Sequence, residues 1–289
     1  MVSRQYDIAI AYRIYPGVSK TPIVFSDNKY KLAELCLKSF KASLGTLKVK
    51  MWVLLDNCPK EYEELFRCYF DSEDLEFIPL NRAGNLPTFG MQLDILLKQD
   101  NSELIYFAED DYYYLPNQFE QMVKFLRAHE DVHFVTAYDH IDYYTLALHK
   151  HRNHIRVFEN RHWRTANSTC LTFLTTKSTL RRSEAVFRTY TRNNFDASVW
   201  LSLTKHELFN IFRAFKYLFK DRLLFKILVK AWFYGWKQIL FGKRWSLWAP
   251  IPTIATAVEE TGLAPTYDWM SIVMRDVEEI DRETKATQP

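Results

Sequence analysis

The sequence predicts an α/β fold with a mostly parallel, doubly wound central sheet flanked by helices. Three observations carry this expectation. Short apolar runs of strand length alternate with longer runs of helical period through residue 115, in the order β-α-β-α-β-α-β. Right-handed crossovers would then bring the strand ends Arg13, Asp56, Asn81 and Asp111 onto one rim. Finally, the run Leu104–Ala108, rich in β-branched and aromatic residues, reads as a buried strand that delivers Glu109, Asp110 and Asp111 together into the ligand crevice of such a sheet.

The first strand is expected at 6–12. A helix follows at 29–44, with Leu32, Leu35, Cys36, Ser39 and Phe40 on one stripe and Gly45 as its stop. The spacing predicts strands at 49–55 and 75–80, helices at 60–70 and 88–98, and a turn at 81–85. Pro116 suits a first helical position ahead of an amphipathic helix at 117–129. Beyond a strand at 132–137 the pattern turns irregular, with short β-like pieces at 155–158 and 170–175 that fit antiparallel additions. Helices are expected at 176–190 and around 199–203, with Asp196 at an N-cap or first-turn position of the second. The Pro-punctuated stretch 245–269 is expected to wrap back over the domain, and 278–289 to be polar and frayed.

Composition narrows the class. Aromatics make up 16% of the 289 residues, whereas glycine occurs only 7 times. A net charge of +3 is too small to imply a nucleic-acid partner. Cys36, Cys58, Cys68 and Cys170 have neither zinc-ligand nor disulfide-framework spacing. Residues 1–16 show no signal-peptide pattern, so a reducing, cytoplasmic location is expected, possible also at the inner face of a membrane. No uncharged stretch is long enough to span a bilayer.

The segment 205–244 differs from the rest. It holds ten basic residues against two acids, Glu207 and Asp221, with bases at helical intervals such as Arg213/Lys216/Lys220 and Arg222/Lys226/Lys230. Interleaved Phe and Trp residues give it the composition of a helix or helical hairpin lying in a membrane interface. A helix packed on the domain with a solvated basic side is the competing expectation.

Adjacent carboxylates at a strand end repel one another unless a cation or polar partner compensates them; a solvated, helix-capping turn is the plainer alternative. A nucleotide-sugar donor would supply such a setting. Its diphosphate needs a cation held by one or two carboxylates, its base and ribose need polar groups at strand ends, and the acceptor hydroxyl needs a general base. Arg13, Arg82, Arg181 or Arg182 could add charge near the phosphates.

The motifs Leu54-Leu55-Asp56-Asn57, Asn81-Arg82-Ala83-Gly84-Asn85 and Tyr106-Phe107-Ala108-Glu109-Asp110-Asp111 stand in order along the βαβ frame. Over roughly the first 115 residues the chain therefore resembles the nucleotide-binding half of a GT-A glycosyltransferase, near the large inverting family 2. The last motif resembles a DxD motif in a Glu-Asp-Asp variant.

The resemblance implies that Asp56 meets the nucleobase, Asp111 binds Mn2+ or Mg2+, and Asp110 meets the ribose or sugar. Tyr12, Arg13, Asn81, Arg82, Asn85 and Glu109 would complete the nucleotide-sugar site. Asn193-Asn194-Phe195-Asp196 followed by Trp200 is the best match to the family's base region, making Asp196 the expected catalytic base, with Asp139, His140 and Asp142 as competitors. One departure is that the stretch 252–257 lacks the late metal-binding histidine of many GT-A enzymes.

The expected organisation is a GT-A catalytic domain at 1–204, with a nucleotide-sugar half at 1–115 and an acceptor half at 116–204. A basic helical segment at 205–244 and a C-terminal segment at 245–289 follow. The expected reaction is metal-assisted transfer, with inversion, from a nucleotide-sugar donor (a UDP-sugar first) to a glycan or lipid-linked acceptor, without nucleic acid. The rivals are a nucleotidyltransferase, disfavoured for want of a Gly-rich phosphate loop, and a non-catalytic peripheral membrane protein.

Overall fold

The computed structural model describes residues 6–18, 21–206 and 208–286. Its first half runs β1 (Ile8–Ile14), α1 (Lys29–Leu44), β2 (Val49–Asp56), α2 (Glu61–Tyr69), β3 (Leu75–Leu80), α3 (Asn85–Lys98) and β4 (Leu104–Glu109). A middle part follows with β5 (Tyr112–Tyr114), α4 (Phe119–Ala128), β6 (Phe134–Val135), α5 (Asp142–Thr145), β7 (Ile155–Phe158), β8 (Arg161–Ala166), β9 (Phe173–Thr176) and α6 (Lys177–Phe187). The remainder is α7 (Asp196–Thr204), α8 (Ile211–Lys220), α9 (Arg222–Phe241), β10 (Leu247–Ile251), β11 (Ala255–Ala257) and α10 (Trp269–Ala286). Glu207 and the side chain of Arg213, counted above among the charges of the basic segment, lie outside the described residues.

Nine strands form one sheet in the order β3-β2-β1-β4-β9-β6-β10-β8-β7. The first four are parallel, as the β-α-β reading requires, while β9 runs antiparallel to both β4 and β6. This is the mixed, mostly parallel sheet expected of the GT-A class. Along β1, Ile8, Ile10, Tyr12 and Ile14 join the apolar cluster that also holds residues of α1, α2, α4 and α10, while Ala9 and Ala11 join the one that holds residues of α3, α6 and α7.

The local reasons are visible element by element. The Asn28 side chain caps α1 by accepting from the Lys31 amide at 3.1 Å, and Gly45 ends it at φ +58. Phe40 of α1 sits fully buried among Tyr12, Tyr106, Tyr114 and Phe119. Each such ring contributes on the order of 1.5–3 kcal/mol of burial.

Four departures from the sequence reading have physical causes. The stretch Tyr112–Tyr114 is a strand, paired antiparallel with β11, so Pro116 stands three positions ahead of α4 rather than opening it. The strand β8 has no strand-like pattern in sequence because Arg161 and Arg164 look solvated there, yet both are buried. Arg164 meets Asp139 at 3.2 Å, and Arg161 bonds Gln121 at 2.7 Å. The segment after 244 lays β10 inside the sheet, between β6 and β8. Helix α10 continues to Ala286 where a frayed tail was expected, docked through Tyr113 Oη, which donates to Asp276 at 2.6 Å.

The segment 205–244 is a helical hairpin. The Asp221 carboxylate accepts from the Leu223 and Leu224 amides at 3.1 Å and starts α9. One face of α9 buries Leu224, Ile227, Leu228, Ala231, Gly235 and Ile239. That face lies on α7, where Ser198 Oγ and Ser202 Oγ donate to the Ile227 and Ala231 carbonyls at 2.8 and 3.3 Å.

Candidate functional site

A cleft of about 520 Å³ opens at the carboxyl ends of β1, β2 and β4. Parallel register explains much of it. Arg13 of β1 is the direct partner of Glu109 on β4, so their side chains leave the same face of neighbouring strands. They form an ion pair, and Glu109 also accepts from Thr172 Oγ1 at 2.5 Å. Arg13 donates further to the Asn85 carbonyl at 3.2 Å, which ties β1 to the start of α3. Burial pulls the Arg13 pKa down, but the Glu109 charge and hydrogen bond, with Tyr190 and Asp111, outweigh it and the balance is upward.

The middle acid has its own cation. Lys29, the first residue of α1, places Nζ 2.8 Å from Asp110 Oδ2, and the Tyr15 amide donates to the same oxygen at 3.4 Å. Burial lowers the Lys29 pKa, yet the Asp110 charge and hydrogen bond carry it above its ordinary value. Asp111 is half-buried on the cleft wall, its carbonyl accepting from the Val258 amide at 2.9 Å just beyond β11.

Asp56, at the end of β2, accepts from the Ala83 amide at 2.7 Å and the Gly84 amide at 2.8 Å, one per carboxylate oxygen. It therefore shapes the turn before α3, where Arg82 and Gly84 take positive φ. Asp56 and Arg82 also line an adjoining hollow of about 410 Å³ with Tyr15 and Gly17. Asp196, the first residue of α7, also lines the cleft, and its Oδ1 accepts from the Ala197 amide at 2.6 Å.

Of the residues singled out in the sequence, the cleft gathers Arg13, Asp56, Asn85, Glu109, Asp110, Asp111 and Asp196, and Arg82 lies next door. Tyr12 does not reach it. One residue away from Arg13 on a strand, it faces the opposite side, fully buried with its ring 5.2 Å from Phe66. Asn81 is exposed and lines neither hollow. Arg181 donates to the Leu97 carbonyl and Arg182 lies over Trp245, both away from the cleft. Among the competing acids, Asp139 is buried against Arg164 and Tyr144, and burial raises its pKa; His140 pairs with Asp142 at 3.6 Å.

Lys29, Tyr15, Thr172 and Tyr190 were not anticipated. Lys29 and Thr172 are distant in sequence from the acids they serve and carry no local signal. Tyr190, beside Arg13 and T-shaped against Phe89 at 5.2 Å, sits in a polar turn that offers only its aromatic character as a hint.

Chemically, the cleft lining carries the carboxylates of Asp56, Glu109, Asp110, Asp111 and Asp196 beside Arg13, and carboxylate oxygens suit a hard cation such as Mg2+ or Mn2+. Among the described residues no three His, Cys, Asp or Glu side chains form a closed metal cage.

The fold and this acidic crevice define an α/β architecture of the GT-A type, with a polar site at its strand ends. A sequence profile of glycosyl transferase family 2 matches residues 23–187, more than half of the chain, and the protein belongs to that family. It is a glycosyltransferase, and the non-catalytic rival falls with that assignment. Asp196 lies nine residues past the matched span and Arg13 ten before it. No curated protein matches in sequence.

Solved structures with a similar course include three kinds. The 4-diphosphocytidyl-2C-methyl-D-erythritol synthase of Anaerococcus prevotii has 10% identity and a TM-score of 0.42, over 70% of this chain and 84% of that one. The galactosyltransferase LgtC, in complex with donor and acceptor sugar analogues, has 10% identity and a TM-score of 0.40, over 67% and 69%. Staphylococcus aureus TarS 1–349 in complex with UDP-GlcNAc has 13% identity and a TM-score of 0.41, over 62% and 48%.

Proposed function

We propose that the protein transfers a sugar from a nucleoside-diphosphate donor, a UDP-sugar in the first instance, to a glycan or lipid-linked acceptor hydroxyl with inversion. The observation that carries this reading is that one cleft gathers Glu109, Asp110, Asp111 and Asp196.

In this reading the nucleotide enters over the ends of β1 and β2, toward the Asp56-held turn and Arg82. The diphosphate lies at Asp111, which would hold Mg2+ or Mn2+. The ion supplies charge stabilisation on the leaving phosphates. Arg13 and Lys29 fix Glu109 and Asp110 in place, which keeps the wall from repelling itself apart. Asp196 accepts the acceptor's hydroxyl proton, the oxygen attacks the anomeric carbon, and the carbon–phosphate-oxygen bond breaks to release nucleoside diphosphate.

Titration of UDP-sugars with and without Mn2+ tests the reading. Ligand that binds only the folded protein must raise the thermal midpoint. Asp111→Asn should abolish the Mn2+-dependent part of that rise. Asp196→Asn should leave donor binding intact and lower turnover by at least about a hundredfold. Unchanged turnover in Asp196→Asn would remove the base assignment, and no response to any nucleotide sugar would remove the donor site.

A further inference from the structure

The hairpin of α8 and α9 has three differently composed sides. On α9, with roughly 100° per residue, the small and aliphatic side is spent on α7. Opposite it, Val229, Phe233, Trp236 and Leu240 recur at i, i+4, i+7 and i+11 and are exposed, Phe233 by 74%. Beside that stripe runs a basic one, Lys226 and Lys237, while Lys230 between them turns to the Asn193 carbonyl and the Phe195 ring. Helix α8 repeats the arrangement: Phe212, Phe215 and Phe219 form an exposed stripe, with Phe212 91% and Phe219 82% exposed, and Lys216 and Lys220 lie on its flank.

Rings this exposed are costly in water, and so many on one hairpin mark an interaction surface. Between the two helices an apolar groove of about 540 Å³ is lined by Phe209, Phe215, Leu218, Phe225, Trp232 and Leu240. The charge beside it is uncompensated: among the described residues no acid pairs with Lys216, Lys220, Arg222, Lys226 or Lys237. No helix in the described residues is long and apolar enough to cross a membrane.

We propose that the α8–α9 hairpin seats the protein on an anionic lipid bilayer. The Phe212–Phe219 and Phe233–Leu240 stripes enter the acyl boundary, and the flanking lysines meet the headgroups. An aromatic stripe beside a lysine stripe complements a surface that is apolar below and negative above. A second copy of this chain would bring the same positive charge to the same face, which disfavours self-association there. The hairpin's docking on α7 makes the seat rigid with respect to Asp196, the first residue of that helix.

The experiment is co-sedimentation of the full chain with phosphatidylcholine vesicles and with vesicles that also contain phosphatidylglycerol. Binding is expected to the anionic vesicles only, and to weaken with salt. The triple replacement Lys216→Glu, Lys226→Glu, Lys237→Glu should reduce it roughly a hundredfold or more. Phe212→Ser, Phe219→Ser, Phe233→Ser together should reduce it at least tenfold. These side chains are exposed, so the folded state should survive, and a retained cooperative melt checks this.

Absence of vesicle binding at low salt, or binding untouched by the phenylalanine replacements, would overturn the proposal. So would a dimer in solution that those replacements dissolve. Vesicle binding is read without any nucleotide sugar, so it can succeed or fail independently of donor titration.

Discussion

Lys29 Nζ and Asp110 Oδ2 lie 2.8 Å apart, with the two side chains only 6% and 10% exposed. The first residue of α1 is thereby fastened to the centre of the acidic wall. Three neighbouring carboxylates are tolerable there because two of them carry a dedicated cation, Arg13 on Glu109 and Lys29 on Asp110.

Lys29→Met should therefore leave a buried carboxylate without its counter-charge and destabilise the fold by about 3–5 kcal/mol. Adding Asp110→Asn should recover much of that loss, as urea denaturation of the single and double variants would show. The folded Lys29 pKa is raised above 10.5. The lysine's share of the pair is thus present in full below that pH and declines as pH climbs through the raised value.

Asp56→Ala removes the acceptor for two backbone amides at once. The turn at 81–84 is open to water, which limits the cost to about 1 kcal/mol. Donor affinity should fall further than stability, because the same turn borders the hollow at Arg82. Comparing the donor titration with denaturant midpoints separates the two effects.

Gly235→Ala tests how closely α9 lies on α7. A Cβ at Gly235 would meet the Ser202 side chain, with the Ser202 Cβ at 2.7 Å. Alanine ordinarily favours a helix interior by about 1 kcal/mol over glycine. Here overpacking against a buried helix should reverse the sign and destabilise by about 1–2 kcal/mol. A thermal melt that rises on this replacement would show that the two helices stand further apart.

Acid should weaken the fold before the carboxylates protonate. Burial, with Lys243 nearby, pushes His133 down to about 4 from an ordinary 6.5, and its Nδ1 accepts from the Ser246 amide at 3.1 Å. Burial likewise takes His149 down to about 4. Between pH 6.5 and about 4 the unfolded chain binds more protons than the folded one, so stability falls as pH falls. The melting temperature should drop across that window, and His133→Gln should flatten part of the slope.

What the sequence made legible follows from what is local. The strands β1 to β4 and the helices between them show periodicity within their own residues, so they were readable to within a few positions. The strand-end rim was readable for the same reason, since parallel order alone places Arg13, Asp56 and Asp111 together. Side-chain direction was not. Tyr12 and Arg13 are neighbours, and only the sheet's packing shows which of them faces the cleft. Nor could β8 or the Lys29–Asp110 pair be read, because their compensating partners stand tens of residues away. Asp56 shows a subtler gap: its position on the rim was foreseen, but its grip on the Ala83 and Gly84 amides was not.

The placement of β10 has a consequence for how the chain comes to exist. Its residues 247–251 are made after both β6 and β8, yet they lie between them. The β7–β8 hairpin reaches the rest of the sheet through that strand. While the ribosome is still working, the first four strands can assemble with their helices, but the far edge must wait with its hydrogen-bonding groups unclaimed. Completion of the sheet thus waits for residue 251, and a nascent chain stalled before 247 would leave an open β edge for chaperones to cover.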